Sequence, residues 1–191
     1  MAARALVSGL ALVLLCVPQP ATGQNPGEAI ILSPYRSYTG ANNLPRVRRH
    51  AGVDFGGALG APILAAADGI VSRIIEWPFG CGLGVLLEHP GFKRWTAYCH
   101  MQGVTVRAGQ SVTRGEQIGR LGISGNAMNI PHVHLEVCTR ACASHADGQL
   151  SGTEDPLRIA DGCFDPRRAY PLDKLVLTFP VACLSGSREK Y

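Results

Sequence analysis

Histidine dominates the side chains of this sequence that are able to do chemistry. There are 6: His50, His89, His100, His132, His134 and His145. Two local patterns stand out. His50 and Asp54 are four apart in Arg49-His50-Ala51-Gly52-Val53-Asp54-Phe55-Gly56. On an extended strand, side chains at i, i+2 and i+4 share a face. Glycine at position 52 puts nothing bulky between the two, so one small ion can touch both. His132 and His134 are two apart in Pro131-His132-Val133-His134-Leu135-Glu136-Val137. They too share a strand face, with Val133, Leu135 and Val137 on the opposite one. Two imidazoles and one carboxylate make a three-ligand zinc site with a fourth position left for water. Zinc lowers the pKa of such a water to about 7. Histidines beyond the ligands can then take up protons or steady an oxyanion.

The elements that must carry these residues read as short β-strands. From about His50 onward the sequence falls into β-type runs broken by turn residues. Pro62 to Ala67 leads into the Asp68-Gly69 turn and then Ile70 to Ile75. Val85 to Glu88 and Arg94 to Cys99 flank Pro90-Gly91, the pattern of a hairpin. Gln117 to Leu121 and His132 to Cys138 read as further strands, and Leu175 to Pro180 as a final one. The stretch Gly60 to Val71 resembles Val106 to Gly119, in the manner of hairpins in biotinyl and lipoyl carrier domains. No lysine sits at either turn, so cofactor attachment is not implied.

Composition sets the outer bounds. The chain has 191 residues, 46% hydrophobic and 17% charged, with 23 glycines and 13 prolines. That is enough apolar material for a packed core, and too little charge for a disordered or coiled-coil protein. The net charge of +4 suits contact with anionic polymers and is too small to argue for nucleic acid.

Residues 1–23 read as a secretory signal peptide: Arg4, an apolar run from Ala5 to Val17, Pro18 and Pro20, then small residues up to Gly23. No later stretch is long and apolar enough to span a bilayer. Cys16 leaves with the signal. Cys81, Cys99, Cys138, Cys142, Cys163 and Cys183 remain, an even number that in an exported chain reads as disulfides. Their pairing stays open, with Cys81–Cys99 the first choice because the hairpin brings those two together. Residues 24–49 read as an extended lead-in, 50–138 as the functional domain, and 139–191 as a loop-rich, disulfide-containing C-terminal extension.

Four motifs in order carry a family resemblance. They are His50-Ala51-Gly52-Val53-Asp54-Phe55-Gly56, Gly60-Ala61-Pro62 through Gly69-Ile70-Val71, Tyr98-Cys99-His100-Met101 and Pro131-His132-Val133-His134-Leu135-Glu136. The sequence resembles the lysostaphin-type (LytM-like, M23) zinc metallopeptidases from about His50 to Val137. The resemblance implies a mostly β protein: a single antiparallel β-sheet domain of the lysostaphin/LytM type. It implies one zinc held by His50, Asp54 and His134, with His100 and His132 as non-ligand catalytic histidines. One of these would take the proton of the attacking water and the other would serve the oxyanion or the leaving amine; which does which stays open. The implied activity is an endopeptidase of peptidoglycan cross-links in the periplasm or outside the cell. The bond would be D-alanyl–diaminopimelate in a diderm host or a glycine-rich bridge for a secreted lytic enzyme. Cys99 and Ile130 depart from the usual pattern beside the site, which bears on substrate preference.

The alternative is a non-catalytic or latent LytM-like protein that binds and activates other wall enzymes. Such relatives lack one or more of the five positions, and this chain retains all of them. Latency would arise if residues 24–49, with Asn42 and Asn43, folded over the metal. The expected partners are peptidoglycan peptides, with no nucleic acid, no membrane span after signal cleavage, and a monomeric state. His89 and His145 read as structural or surface residues. Glu136 is either a carboxylate behind the metal-facing imidazoles or a salt-bridged strand residue. Tyr98, Trp77 and Trp95 read as structural or rim, and Arg46 to Arg49 as a solvated or polymer-docking edge.

Overall fold

In the computed structural model, residues 29–142 and 152–183 are described; the expected signal peptide and His145 lie outside them. The strands are β1 (Ile31–Ser33), β2 (Val53–Gly56), β3 (Pro62–Leu64), β4 (Gly69–Trp77) and β5 (Gly82–His89), followed by β6 (Arg94–Val104), β7 (Ser111–Val112), β8 (Gln117–Leu121), β9 (His132–Cys138) and β10 (Thr153–Glu154). A single 3₁₀ turn among the described residues, Pro156–Arg158, follows β10. All these strand pairs are antiparallel, in the order β1-β2-β9-β6-β5-β4-β7. β10 adds to β9, while β8 joins β3 to β6. The hairpin read from Val85 to Cys99 is β5–β6. The two mutually similar stretches pair with each other, β3 on β8 and β4 on β7.

Alternation along the strands builds two faces. Val53, Phe55, Val85, Leu87, Tyr98, Val133, Leu135 and Val137 point into the main core with Ile63, Met101, Ile118 and Leu121. Their neighbours Leu86, Ala97, Cys99 and Cys138 point the other way, into a small cluster with Ile75, Cys81 and Cys142, flanked by Trp77 and Trp95. Disulfides Cys81–Cys99 and Cys138–Cys142 sit in that cluster. The second face of the sheet is thus covered at one end by sulfur and indole. At its other end the same alternation presents Asp54, His132 and His134.

The segment after β10 packs back on the main core. Leu177 and Val181 are buried there, and Phe179 meets Phe55 with ring centroids 5.2 Å apart. Cys163–Cys183 closes it. Leu175 to Pro180 is held as a strap, with one isolated bridge, Ala160 to Leu177, in place of the expected strand. Its carbonyls and amides are taken by scattered partners: Thr178 N–H donates to Ala66 O, and Arg114 donates to Val176 O. No helix of the described residues is long and apolar enough to cross a membrane.

Candidate active site

The site begins with the pairing of β2 on β9. Their register sets Asp54 opposite His134 and Gly56 opposite His132. Asp54 Oδ1 lies 2.9 Å from His134 Nδ1. His50 joins them from outside the strand, because β2 starts only at Val53. The i, i+4 spacing therefore works through a bend and not through a shared strand face. Gly52 permits the bend: a Cβ there would lie 2.2 Å from Leu135 O and 2.9 Å from His134 Cε1. His50 Nε2 comes to 3.0 Å from Asp54 Oδ1 and 2.8 Å from His134 Nδ1.

Hydrogen bonding fixes what these atoms offer. His50 Nδ1 lies 3.1 Å from Pro34 O, which can only accept, so Nδ1 carries the proton and Nε2 a lone pair. His134 Nε2 faces the Glu136 carboxylate at 3.7 Å. That directs its proton outward and leaves Nδ1 facing His50 and Asp54. Two imidazole nitrogens and a carboxylate oxygen converge with no side longer than 3.0 Å, and such a cluster needs positive charge among them, a proton or a metal ion. Zinc bonds of about 2.0–2.2 Å at tetrahedral angles set ligand atoms roughly 3.3–3.5 Å apart. The triangle is tighter than this by roughly half an ångström, a small outward shift of three side chains, so the donor set fits such an ion. The field agrees. Burial opposes charge on His134, yet its contacts with Asp54 and Glu136 prevail and push its pKa up to about 9. Burial also works against the Asp54 carboxylate, but its contacts with His134 and His50 hold it well below the usual carboxylate range.

His100 arrives by a different device. β6 pairs with β9 as far as Cys99 opposite His134, then with β8 from Met101 opposite Leu121. His100 is the residue between these two partnerships. Two steps along β5, from Leu83 to Val85, are matched by three along β6, a β-bulge. His100 takes φ +68° there, unusual for a side chain of its size. Its N–H donates to Cys81 O at 2.7 Å, and its Nδ1 donates to Ser124 O at 2.9 Å. The bulge turns its ring toward His132, with centroids 4.7 Å apart. His132 donates from Nδ1 to Ile130 O at 2.7 Å, and its Nε2 lies 3.6 Å from Asp54 Oδ1. Burial, aided by the charges of His132 and His134, pushes the His100 pKa down to about 3. Burial also lowers that of His132. Both rings are neutral near pH 7, each with Nδ1–H tied to a carbonyl and a lone pair left on Nε2.

All five residues singled out from sequence meet at one place on the second face. Glu136 is buried on the same face, behind His134. Tyr98 is fully buried, its hydroxyl accepting from Ala66 N–H, and His89 lies in the same interior network. The sequence reading missed the role of the lead-in. Arg46 donates from Nη2 to Asp54 Oδ2 at 2.7 Å, and Ser33 Oγ lies 3.0 Å from His50 Nδ1. Asn42 turns away into its own loop, accepting from Leu44 N–H, while Arg48 and Arg49 are exposed. A serine closing the apolar run Ile30 to Leu32 was the one available signal, since a buried hydroxyl needs a partner.

An uncharacterized metalloprotease of Haemophilus influenzae is 41% identical over 91 residues, which cover 48% of this chain and 19% of that protein. The peptidoglycan DD-endopeptidase ShyA of Vibrio cholerae is 36% identical over 95 residues, 50% of this chain and 21% of that protein. The match thus spans about a fifth of each of these curated relatives. The catalytic domain of the antimicrobial peptidase lysostaphin from Staphylococcus simulans superposes with a TM-score of 0.53 at 24% identity, over 69% of this chain and 90% of that one, so the fold is shared. The sequence profile of peptidase family M23 covers residues 48–146, a span holding all five clustered residues. With that match over half its length, the chain belongs to peptidase family M23.

Proposed function

We propose that this protein is a zinc-dependent endopeptidase that cleaves peptide cross-links of bacterial peptidoglycan. The observation that carries the reading is the triangle of His50 Nε2, Asp54 Oδ1 and His134 Nδ1, no side longer than 3.0 Å, with two neutral histidines beside it. His50, Asp54 and His134 would hold the metal, which when bound supplies an acidified water and an electrophile for the scissile carbonyl. The chain's own part is proton handling and orientation. His132 and His100 each have Nδ1 tethered to a carbonyl and a lone pair on Nε2, so each can accept a proton at Nε2 and pass it on without moving its ring. Protonated, either ring donates from Nε2 to an oxyanion or to a leaving amine.

The name of the Vibrio cholerae relative, a peptidoglycan DD-endopeptidase, supports a D,D cross-link as the bond. Three disulfides among the described residues support an oxidising compartment, periplasmic or extracellular, consistent with the leader read at residues 1–23. The experiment is digestion of purified sacculi by zinc-loaded residues 24–191, with mass spectrometry of the released muropeptides. Cross-linked dimers should fall and monomers rise, and a chelator should stop it. Zinc-loaded protein that leaves every cross-link intact would refute the enzyme reading and leave the activator one.

A further inference from the structure

Behind the donor triangle lies a second set of contacts, all from the lead-in. Asp54 is 1% exposed and its two oxygens have different employment. Oδ1 faces His50, His134 and His132. Oδ2 takes Arg46 Nη2 at 2.7 Å. His50 is held likewise on the side away from the triangle. Ser33 Oγ donates to Thr39 O at 2.6 Å, so its lone pairs are free to accept His50 Nδ1–H at 3.0 Å, alongside Pro34 O. Arg46 Nε donates to that same Thr39 carbonyl at 3.3 Å, and Arg46 N–H to Tyr38 O. One carbonyl thus joins the residue behind His50 to the residue behind Asp54. The strap is anchored at both ends, by β1 on β2 and by His50 N–H to Ser37 O.

We propose that Ser33 and Arg46 are positioning residues for the metal centre, and that the lead-in strap is its outer support and not a lid. The inference rests on the zinc reading above. A carboxylate can grip a divalent ion with one oxygen or two. Arg46 engages Oδ2, so Asp54 presents Oδ1 alone, which keeps the ligand count at three and a place open for water and substrate. Ser33 and Pro34 keep the proton of His50 on Nδ1, so Nε2 stays a lone pair. A guanidinium near a divalent cation also repels it. Here it sits on the far side of the carboxylate with 30% of its side chain exposed, so water screens the repulsion. Orientation therefore prevails, and the arginine strengthens metal binding.

The test compares the full exported chain with Arg46→Met, Arg46→Lys and Ser33→Ala. Zinc affinity is measured by competition with a chromophoric chelator, and the cobalt-substituted proteins are read by visible absorption. Loss of a hydrogen-bond partner behind a metal ligand typically costs about 10–100-fold in affinity. Arg46→Met should fall in that range and weaken the four-coordinate cobalt bands as both carboxylate oxygens engage. Arg46→Lys should recover part of each, and Ser33→Ala should lose affinity without changing the bands. Thermal unfolding checks that each variant is folded. Unchanged affinity and spectra in a folded Arg46→Met protein would overturn the proposal. So would tighter zinc binding, which would make Arg46 a competitor of the metal. A wild-type chain that binds no zinc would instead sink the metallopeptidase reading from which this one starts.

Discussion

Asp54 and His134 are register partners on adjacent strands, 80 residues apart in sequence, with Oδ1 and Nδ1 2.9 Å apart. Backbone pairing alone delivers the acid to the base, so this contact is as rigid as the sheet. The candidate proton carriers are held differently, by a bulge in β6 and by tethers to loop carbonyls. Ligand and proton-handling roles should therefore separate cleanly under mutation.

His134→Ala should abolish tight zinc binding. His132→Ala should keep one zinc per chain while turnover falls by about 10²–10⁴-fold, the usual worth of a positioned acid or base. Zinc content by elemental analysis and cleavage of a cross-linked muropeptide read the two effects apart. A His132→Ala enzyme with wild-type turnover would remove that residue from the chemistry. Zinc should also raise the unfolding free energy by about 2.7 kcal/mol at a free concentration a hundredfold above its dissociation constant.

Cys81–Cys99 ties the loop before β5 to the residue next to His100. The Cys81 carbonyl also accepts the His100 N–H. No donor of the metal triangle lies on β6 or on that loop. Replacing both cysteines by alanine should cost about 2–4 kcal/mol of stability and lower turnover by freeing His100 from its left-handed backbone. Zinc affinity should stay near wild type. Chelator competition and denaturant titration check this; a matching drop in zinc binding would contradict the division of labour.

Gly52 is where His50 becomes a neighbour of β9. Gly52→Ala forces its new methyl against Leu135 O, so it should destabilise by about 1–3 kcal/mol and weaken zinc binding by displacing His50. A Cβ added at Gly103 would meet nothing within 4 Å, and Gly103→Ala should leave both properties alone. Equal behaviour of the two variants in denaturant titration would contradict the close-approach argument.

How much of this was legible in the sequence depends on the range of each contact. His132-Val133-His134 carries its geometry locally, since strand alternation fixes which side chains share a face. The β5–β6 hairpin and the Cys81–Cys99 bridge were legible for the same reason: a short turn makes neighbours of its flanks. His50 and Asp54 were legible as a pair, though by a bend at Gly52 and not by strand alternation. Arg46 was not, because a contact to Asp54 needs the Gly40 to Leu44 loop to fold the strap back, and an arginine among Arg46, Arg48 and Arg49 has no mark distinguishing it. The left-handed turn at His100 was hidden too, because bulges arise from how β6 changes partners, a property of the whole sheet. Leu175 to Pro180 has the composition of a strand, but it crosses the core as a strap and pairs with no strand of the sheet among the described residues.

His89 supplies a prediction outside the metal centre. It is buried, with Nδ1 2.7 Å from Asp68 O and Nε2 2.8 Å from Thr96 Oγ1. Thr96 Oγ1 in turn lies 3.1 Å from the Tyr98 hydroxyl. Burial, with Arg114 nearby, lowers its pKa below the ordinary value of 6.5 despite the Asp68 carbonyl. The unfolded chain therefore binds this proton at higher pH than the folded one. Stability is fully present above about pH 6.5 and is lost as pH falls from there toward the depressed folded pKa. His50, His100 and His132 are shifted the same way, so wild type alone cannot isolate one residue. The comparison with His89→Gln can, because glutamine keeps a polar group in the pocket without titrating. Denaturant midpoints in the presence of chelator, at about pH 7.5 and about pH 5.5, should show wild type losing more stability between the two than His89→Gln. Equal losses would mean that His89 is already neutralised by its surroundings in the unfolded chain, or that Thr96 and Asp68 accommodate the imidazolium, and the buried network would then contribute nothing to acid sensitivity.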